Sequence, residues 1–259
     1  QVDLETLAAT LGAAAETIGA NPGETIRPDL TSMETGERAA IEALVSLRDQ
    51  APLRFHGTLG EGGMGVVHLA EQVTVGRDVA VKTVREDARR PDEAGFRLLQ
   101  EGWITGALEH PNVVPVYDMA VDAEGRPRIV LKRIDGVRWG EVMHDEALIA
   151  ERFGATDPLA WNLAILEEVC EALRYAHRRG IIHRGVKPEN VMIGHFGEVY
   201  LLDWGIAVST RDDGSGRLPL AADVEEIAGT PNYMAPEMLG QTPNRISTRT
   251  DVYLLGAVL

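Results

Sequence analysis

The feature that most constrains the fold is a change of hydrophobic period near residue 134. The segments LRFHGTLG, VVHLAEQVTV and RDVAVKTV, within residues 53–84, alternate or run apolar as strands do, and glycines separate them. VVPVYDMAVD and RPRIVLKRI continue this pattern after one helical stretch at 92–108. From about residue 137 helical spacing dominates, most clearly in PLAWNLAILEEVCEALRYAHRRG. The sequence therefore predicts an α+β fold, with an antiparallel sheet and one helix followed by a mainly helical part.

The 50 residues before this sheet have a different pattern. LETLAATLGAAAETIGA and ERAAIEALVSLRDQ show helical spacing and contain good helix formers. The turn-rich segment NPGETIRPD separates them. Residues 1–50 are therefore predicted to be a helical N-terminal extension.

Composition excludes some classes of partner. The 259 residues include 25 Lys and Arg against 40 Asp and Glu, and the net charge of −15 opposes binding to a phosphate backbone, so no nucleic-acid partner is expected. No apolar run reaches the roughly 18 residues that a membrane helix needs, and the start of the chain has no leader pattern. We expect no membrane segment and a cytoplasmic location. The single Cys170 cannot form an internal disulfide and is predicted to pack as a small apolar residue.

A glycine-rich turn and a lysine follow one another in the predicted sheet. Gly60, Gly62 and Gly65 have the G-x-G-x-x-G spacing, which lets backbone approach phosphates closely, although alone it could mark only a hairpin tip. A strand follows the glycines, whereas a dinucleotide-binding fold would place a helix there. Lys82 ends the apolar strand VAVK and predicts a phosphate contact in preference to a solvated lysine. Its expected partner is Glu101, with Glu93 the less favoured alternative.

A second group of polar residues lies in the helical part. The loop HRGVKPEN (183–190) contains Lys187 and Asn190, and Asp203 follows in LLDWGIA. An amide oxygen with a carboxylate suits a hard cation such as magnesium, although either residue alone could be a turn former.

Together with GTPNYMAPE (229–237) and DVYLLGAVL (251–259), this ordered set resembles the eukaryotic-like Ser/Thr protein kinases found in bacteria, over residues 53–259. The resemblance implies a bilobal protein-kinase-like fold. The small antiparallel β lobe with one helix would span 51–134. The mainly helical lobe would span 135–259 and be truncated after its central helix.

The resemblance also implies roles for individual residues, with ATP and Mg²⁺ as cofactors. Asn190 and Asp203 would hold the metal, and Lys187 would touch the transferred phosphate. Thr230 would position the substrate hydroxyl, and Asp251 would brace the catalytic loop. The residues implied for nucleotide binding are Gly60, Gly62, Gly65, Val67, Ala80, Lys82, Glu101, Leu131, Lys132 and Ile134.

One catalytic position departs from the family pattern. Gly185 stands where the family has the Asp that accepts the proton of the substrate hydroxyl. We expect ATP binding to survive and transfer of the γ-phosphate to protein Ser or Thr to be strongly impaired. Two explanations stay open at this point. The chain is either an active kinase in which one residue was changed, or a natural pseudokinase that serves as an ATP-binding regulatory scaffold.

The sequence differs from the family pattern in two smaller ways, and each leads to a prediction. Trp204 replaces the usual Phe after Asp203, and its indole N–H will need an acceptor if it is buried. DVYLLGAVL reads as a core helix at the end of the sequence, and an uncovered apolar face there predicts self-association. The expected partner is otherwise a protein substrate or a regulated protein.

Overall fold

Alternating apolar residues in the first described segments form a five-stranded antiparallel sheet. The computed structural model describes residues 53–62, 65–122, 124–224, 226–240 and 246–259, so the extension predicted at 1–50 lies outside the described residues. The strands are β1 (Leu53–Gly62), β2 (Gly65–Gln72), β3 (Arg77–Thr83), β4 (Val116–Val121) and β5 (Pro127–Lys132). Their order across the sheet is β1–β2–β3–β5–β4.

Strand register decides which side chains share a face of this sheet. Lys82 on β3 pairs with Val67 on β2 and with Ile129 on β5, and Ala80 pairs with Leu131 in the next row. Because side chains alternate with period two, all five lie on one face. Val79 and Val81 take the opposite face, where they pack with Leu53, Ala70 and Val130.

Helix α1 (Pro91–Ala107) covers part of the face that carries Lys82. Pro91 opens the helix, where a missing N–H costs nothing. The helix contacts β4 and β5, and an added Cβ at Gly102 would overlap Met119 and lie 3.1 Å from Ile129. Glu101 is thereby placed beside the sheet and is buried.

Helices dominate the rest of the described chain. They are α2 (Trp139–Val142), α3 (Glu146–Phe153), α4 (Pro158–Arg178) and α5 (Thr248–Val258), with 3₁₀ turns at Pro188–Asn190, Ala221–Asp223 and Pro236–Leu239. The predicted α+β fold class is confirmed. Residues 53–259 form one compact unit, so the domain limit placed at residue 134 stays a prediction.

The long helix α4 begins and ends as its sequence predicts, but one residue on it was assigned wrongly. Asp157 caps the helix by accepting the Ala160 N–H, and Pro158 occupies its first turn. Val169, Ala172 and Ala176 repeat at helical spacing and are fully buried. Cys170 was predicted to pack in this core, and it is exposed because it falls between the buried positions.

Five short strands interrupt the helical part. They are β6 (Gly136–Arg138), β7 (Ile181–Ile182), β8 (Val191–Gly194), β9 (Val199–Leu201) and β10 (Val208–Ser209). They form two small sheets, β6–β8–β9 and β7–β10. Segments of two to four residues are too short to show a period, and these sheets fix both ends of the loop that contains Gly185.

Surface features bear on two further expectations. In the described ranges, none of the helices combines the length and apolar character needed to cross a bilayer. On α5, Val252 and Tyr253 are exposed, whereas Leu254 is buried in the core. Self-association through this helix stays a prediction.

Candidate functional site

The glycine-rich turn joins β1 to β2, and Gly62 pairs with Gly65 at its base. A Cβ added at Gly65 would overlap the Thr83 carbonyl oxygen, and φ is 154° there, so only glycine fits without strain. A Cβ at Gly60 or Gly62 would meet nothing within 4 Å. The turn therefore has open space beside its backbone, as an approach to phosphates would require.

A buried ion pair links the sheet to helix α1. The Lys82 ammonium lies 2.6 Å and 2.7 Å from the two carboxylate oxygens of Glu101, and both side chains are about nine-tenths buried. The expected partner of Lys82 is therefore present. Glu93 pairs instead with Arg90 on the surface, at 2.9 Å.

The same ammonium also reaches the second group of polar residues. Lys82 Nζ lies 3.5 Å from Asp203 Oδ1, although 121 residues separate them. Burial alone would lower the Lys82 pKa, but the carboxylates of Glu101 and Asp203 outweigh it and raise that pKa above its ordinary value. Burial raises the pKa of Glu101, and Asp203 adds to this while Lys82 opposes it. One ammonium thus serves two carboxylates, which leaves negative charge at Asp203 for a further cation.

Asn190 and Asp203 have the chemistry of a magnesium site. Asn190 Nδ2 donates to the Gly185 carbonyl at 2.8 Å, so the amide oxygen is the atom left to face a metal. Asp203 has φ 63°, a left-handed conformation that is costly for a non-glycine residue and typical of functional sites. The described residues contain no group of three or more His, Cys, Asp or Glu that could enclose a metal. Two oxygen ligands fit Mg²⁺, because this ion usually keeps waters and phosphate oxygens as its other ligands.

Asp251 holds the backbone of the loop that contains Gly185. Its two carboxylate oxygens accept the N–H groups of His183 and Arg184, at 2.9 Å and 2.8 Å. His177 Nε2 lies 2.7 Å from the same carboxylate. Asp251 is fully buried, and Arg184 has φ 63°, so three groups and one carboxylate fix a strained turn just before Gly185.

Replacing Asp251 should loosen this turn. In Asp251→Asn the amide NH₂ would face N–H donors that have lost an acceptor, and we expect a loss of about 2 kcal/mol in the free energy of unfolding. Chemical denaturation measures this loss. Asp223→Asn, at an exposed position, is the matched control and should change stability by less than about 0.5 kcal/mol. Equal stability of the two variants would contradict the bracing role.

His183 and Trp204 support Gly185 from the core. The Gly185 N–H donates to His183 Nδ1 at 3.0 Å, and His183 Nε2 lies 3.1 Å from the Leu202 carbonyl. Burial lowers the His183 pKa, so the ring is neutral, and its Nε2–H donates to Leu202. Because both ring nitrogens are engaged and the ring is fully buried, His183 has no nitrogen left to accept a further proton.

Trp204 is accommodated in the core. Its ring is fully buried and lies 4.4 Å from the His183 ring, measured between centroids. The indole N–H donates to the Leu201 carbonyl at 3.4 Å, which supplies the acceptor that burial demands.

Lys187 and Thr230 meet on the open side of Gly185. Lys187 Nζ donates to Thr230 Oγ1 at 3.0 Å, across 43 residues of sequence. Both residues line a small cavity together with Gly185. The ammonium and the hydroxyl therefore lie at the same small cavity as Gly185.

The residues implied for the adenine end lie along the same sheet face or just beyond it. Val67, Ala80 and Leu131 share the face of Lys82, and Ile134 follows the end of β5. The Lys132 ammonium donates to the Tyr200 hydroxyl and lies 4.7 Å from the centroid of that ring. Tyr200 was not predicted, because nothing in its local sequence indicates a contact 68 residues away.

Two further contacts that the sequence did not predict tie the segment after Asp203 to α1. Arg97 on α1 pairs with Glu226 at 2.9 Å, and the Arg217 guanidinium lies 5.5 Å from the centroid of the Trp103 ring. The Arg97 pair is more than half exposed, so it contributes little energy. These contacts lie on the same helix as Glu101.

A cavity larger than the one beside Gly185 lies elsewhere in the described part of the chain. It has a volume of about 540 Å³ and is lined by His68, Thr83, Arg85, Arg128 and others. His68 and Thr83 lie on the sheet face opposite Lys82, and neither Asn190 nor Asp203 lines the cavity. Size alone therefore does not mark the functional site, which is defined by converging polar groups.

Comparison with known proteins agrees with this arrangement. The model of the protein kinase domain family matches residues 53–259. The serine/threonine-protein kinase PknB of Mycolicibacterium smegmatis is 39% identical over 206 residues, which cover 78% of this chain and 30% of that protein. PknB of Mycobacterium tuberculosis is 36% identical over 204 residues, with the same two coverages.

A second kind of bacterial kinase is similar to this chain to nearly the same degree. The serine/threonine-protein kinase PknD of Chlamydia caviae is 36% identical over 216 residues, covering 78% of this chain and 23% of that protein. The chain thus spans less than a third of the length of these relatives. Its fold, the order of its motifs and the family match lead to one conclusion: this chain belongs to the protein kinase family and, within it, to the eukaryotic-like serine/threonine kinases whose bacterial members it resembles.

Proposed function

We propose that this chain binds Mg-ATP and transfers the γ-phosphate slowly to Ser or Thr hydroxyls of proteins. The observation that carries the proposal is the contact of Lys82 with both Glu101 and Asp203, because it joins the sheet, helix α1 and the candidate metal ligand in one charged cluster. A structural protein has no need for a buried ammonium between two carboxylates at the mouth of a glycine-rich turn.

Each residue of the cluster then has a physical task. The turn at Gly60, Gly62 and Gly65 would place backbone N–H groups over the phosphates, and Lys82 would direct its charge at them. Asn190 and Asp203 would hold Mg²⁺. When bound, this ion neutralises charge on the phosphate oxygens. Lys187, fixed by Thr230, would stabilise the negative charge of the phosphate during transfer.

The proposed low rate of phosphate transfer follows from Gly185, which has no carboxylate. Glycine cannot accept the proton of the substrate hydroxyl or orient its oxygen toward the phosphorus. A positioned general base typically contributes ~10²–10⁴ in rate, so transfer is reduced by roughly that factor while binding is kept. His183 cannot compensate, since both of its ring nitrogens already form hydrogen bonds.

One observation favours the alternative of a natural pseudokinase, an ATP-binding scaffold for a regulated protein partner. A Cβ at position 185 would lie 3.2 Å from two atoms of the His183 ring, which is a tight contact. The neutral ring, packed against Trp204, thus lies close to the space that a side chain would occupy. A packing adapted to glycine supports glycine as the native residue at this position.

Calorimetric titration of ATP tests the proposal. We expect saturable binding with magnesium present, and a loss of about tenfold in affinity, roughly 1.4 kcal/mol, when the metal is chelated. Asp203→Asn should bind ATP with the same affinity whether or not magnesium is present. Absence of binding at millimolar ATP, for a protein shown to be folded by circular dichroism, would refute the proposal. A cytoplasmic location stays a prediction.

A further inference from the structure

The cavity beside Gly185 is lined by groups that donate hydrogen bonds. Arg184, Gly185, Lys187 and Thr230 line it, together with the apolar or aromatic side chains of Val186, Tyr233, Met234 and Leu254. It has room for about one water-sized group and is partly open. A Cβ at position 185 would lie 3.2 Å from the His183 ring and 3.6 Å from Asn190 Nδ2, at the side of this cavity that Gly185 lines.

The electrostatics of this cavity favour an anion. Lys187 donates one hydrogen bond to Thr230 Oγ1, so the Thr230 hydroxyl hydrogen and the remaining ammonium hydrogens are donors for another group. Across the described residues, Lys187 forms no ion pair with an Asp or a Glu. Positive charge and donors therefore surround a space in which no carboxylate of the described chain is placed.

Arg184 provides a second and independent indication. The residue is 4% exposed, and its Nε atom is buried without a hydrogen-bond acceptor in the described part of the chain. Its two terminal nitrogens donate instead to the carbonyls of Ile206 and Glu226. The Arg184 guanidinium therefore adds positive charge to the wall of the cavity, which favours a negatively charged oxygen there.

We propose that this cavity binds a small monocarboxylate, with formate as the simplest case, and that the bound ion acts as the base that the chain lacks. This inference rests on the proposed function. One carboxylate oxygen would accept hydrogen bonds from the Lys187 ammonium and the Thr230 hydroxyl, and the rest of the ion would extend toward the cleft. Because the enclosed space is about one water-sized group, formate should act better than acetate, whose methyl group needs more room.

The step balances without a further reactant. The substrate Ser or Thr hydroxyl gives its proton to the bound formate, and the hydroxyl oxygen forms a bond to the γ-phosphorus. The bond between that phosphorus and the oxygen bridging to the β-phosphate breaks, and its electron pair leaves with ADP. Formic acid then dissociates and returns the proton to solvent, so the formate is regenerated.

Three proteins, each in three different salts, test the inference. The unchanged chain, Gly185→Ala and Gly185→Asp are compared with Mg-ATP in sodium formate, sodium acetate and sodium chloride at equal ionic strength. The acceptor is whichever of casein, histone and the chain itself the G185D variant phosphorylates. Phosphate transfer is followed with radiolabelled ATP, and formate binding is followed separately by saturation-transfer NMR on the formate proton.

The expected pattern is specific to glycine. Formate should raise the rate of the unchanged chain about tenfold or more, and in a saturable way, which is part of the ~10²–10⁴ that a positioned base contributes. The methyl group in G185A should abolish this response and the NMR signal, and G185D should be fast and independent of formate. Equal responses of the unchanged chain and G185A would mean a salt effect and overturn the inference.

The remaining outcomes separate this inference from the proposed function. If Mg-ATP binds and G185D is active while formate does nothing, the inference fails and the proposed function stands. If G185D is inactive on every acceptor although Mg-ATP binds, the role given to position 185 is wrong and the inference fails with it. If Mg-ATP does not bind at all, the proposed function itself fails.

Discussion

Replacing Gly185 with aspartate is expected to raise phosphate transfer by ~10²–10⁴-fold. The new carboxylate would lie beside Asn190 and the cavity that Lys187 and Thr230 line, where an ammonium and a hydroxyl can orient it. Its Cβ would lie 3.2 Å from the His183 ring, so that ring must move by a few tenths of an ångström. We therefore expect a faster enzyme with a slightly lower melting temperature. The rate is measured with radiolabelled Mg-ATP and the acceptor described above.

Gly185→Asn is the matched control for this gain. Asparagine has nearly the size of aspartate and would press on His183 in the same way, but its amide cannot take a proton at neutral pH. Its rate should stay near that of the unchanged chain while its melting temperature falls by the same amount as that of G185D. Equal rates for G185D and G185N would show that size, and not proton transfer, controls this position.

Replacing Lys82 with methionine should cost more stability than any other single change considered. Lys82 and Glu101 are each about nine-tenths buried and in direct contact, so the variant leaves the Glu101 carboxylate without its cation. Removing one partner of a buried pair typically costs about 3–5 kcal/mol. Denaturation by urea should show a loss of this size, and ATP affinity should fall because the phosphates lose a charge partner.

The stability lost in the Lys82→Met variant should depend on pH, and the direction of that dependence can be measured. Burial already raises the Glu101 pKa, and without Lys82 nothing in the pair opposes that rise. The folded variant therefore binds a proton more readily than the unfolded chain does. Its deficit relative to the unchanged protein should shrink as pH falls toward the ordinary range of a carboxyl group, and grow as pH rises.

A double variant serves as the control for the ion pair. In Lys82→Met with Glu101→Leu both charges are gone, and buried pairs replaced by apolar residues of similar size are often as stable as the original. Most of the lost stability should return, while ATP binding stays weak. A double variant as unstable as Lys82→Met alone would mean that packing, and not an uncompensated charge, explains the loss.

The sequence predicted the parts of the site that depend on local period or spacing. The strand pattern placed Lys82 at the end of VAVK, and the helical stretch after it offered Glu101 as a partner. The prediction failed for Cys170, because membership of an amphipathic helix does not by itself fix which positions face inward. The phase of the buried residues Val169, Ala172 and Ala176 decides this.

Long-range contacts between ordinary-looking residues could not be read in this way. His177 meets Asp251 across 74 residues, and Arg97 meets Glu226 across 129 residues. Neither pair has a local signature: Arg97 and Glu226 resemble any surface charges, and nothing in the sequence around Asp251 shows that it is buried against His177. The left-handed backbone conformation of Arg184 and Asp203 could not be predicted either, because glycine is the residue that commonly indicates a positive φ in a sequence.

The most direct test is a crystal structure of the chain with a non-hydrolysable ATP analogue and Mn²⁺ in place of Mg²⁺. Anomalous scattering locates the manganese independently of the chain trace. We expect a peak within coordination distance of both the Asp203 carboxylate and the Asn190 amide oxygen, with the phosphates of the analogue beside Lys82 and the glycine-rich turn. A metal or triphosphate bound away from these three side chains would contradict the assignment of the site, whatever the rate of transfer turns out to be.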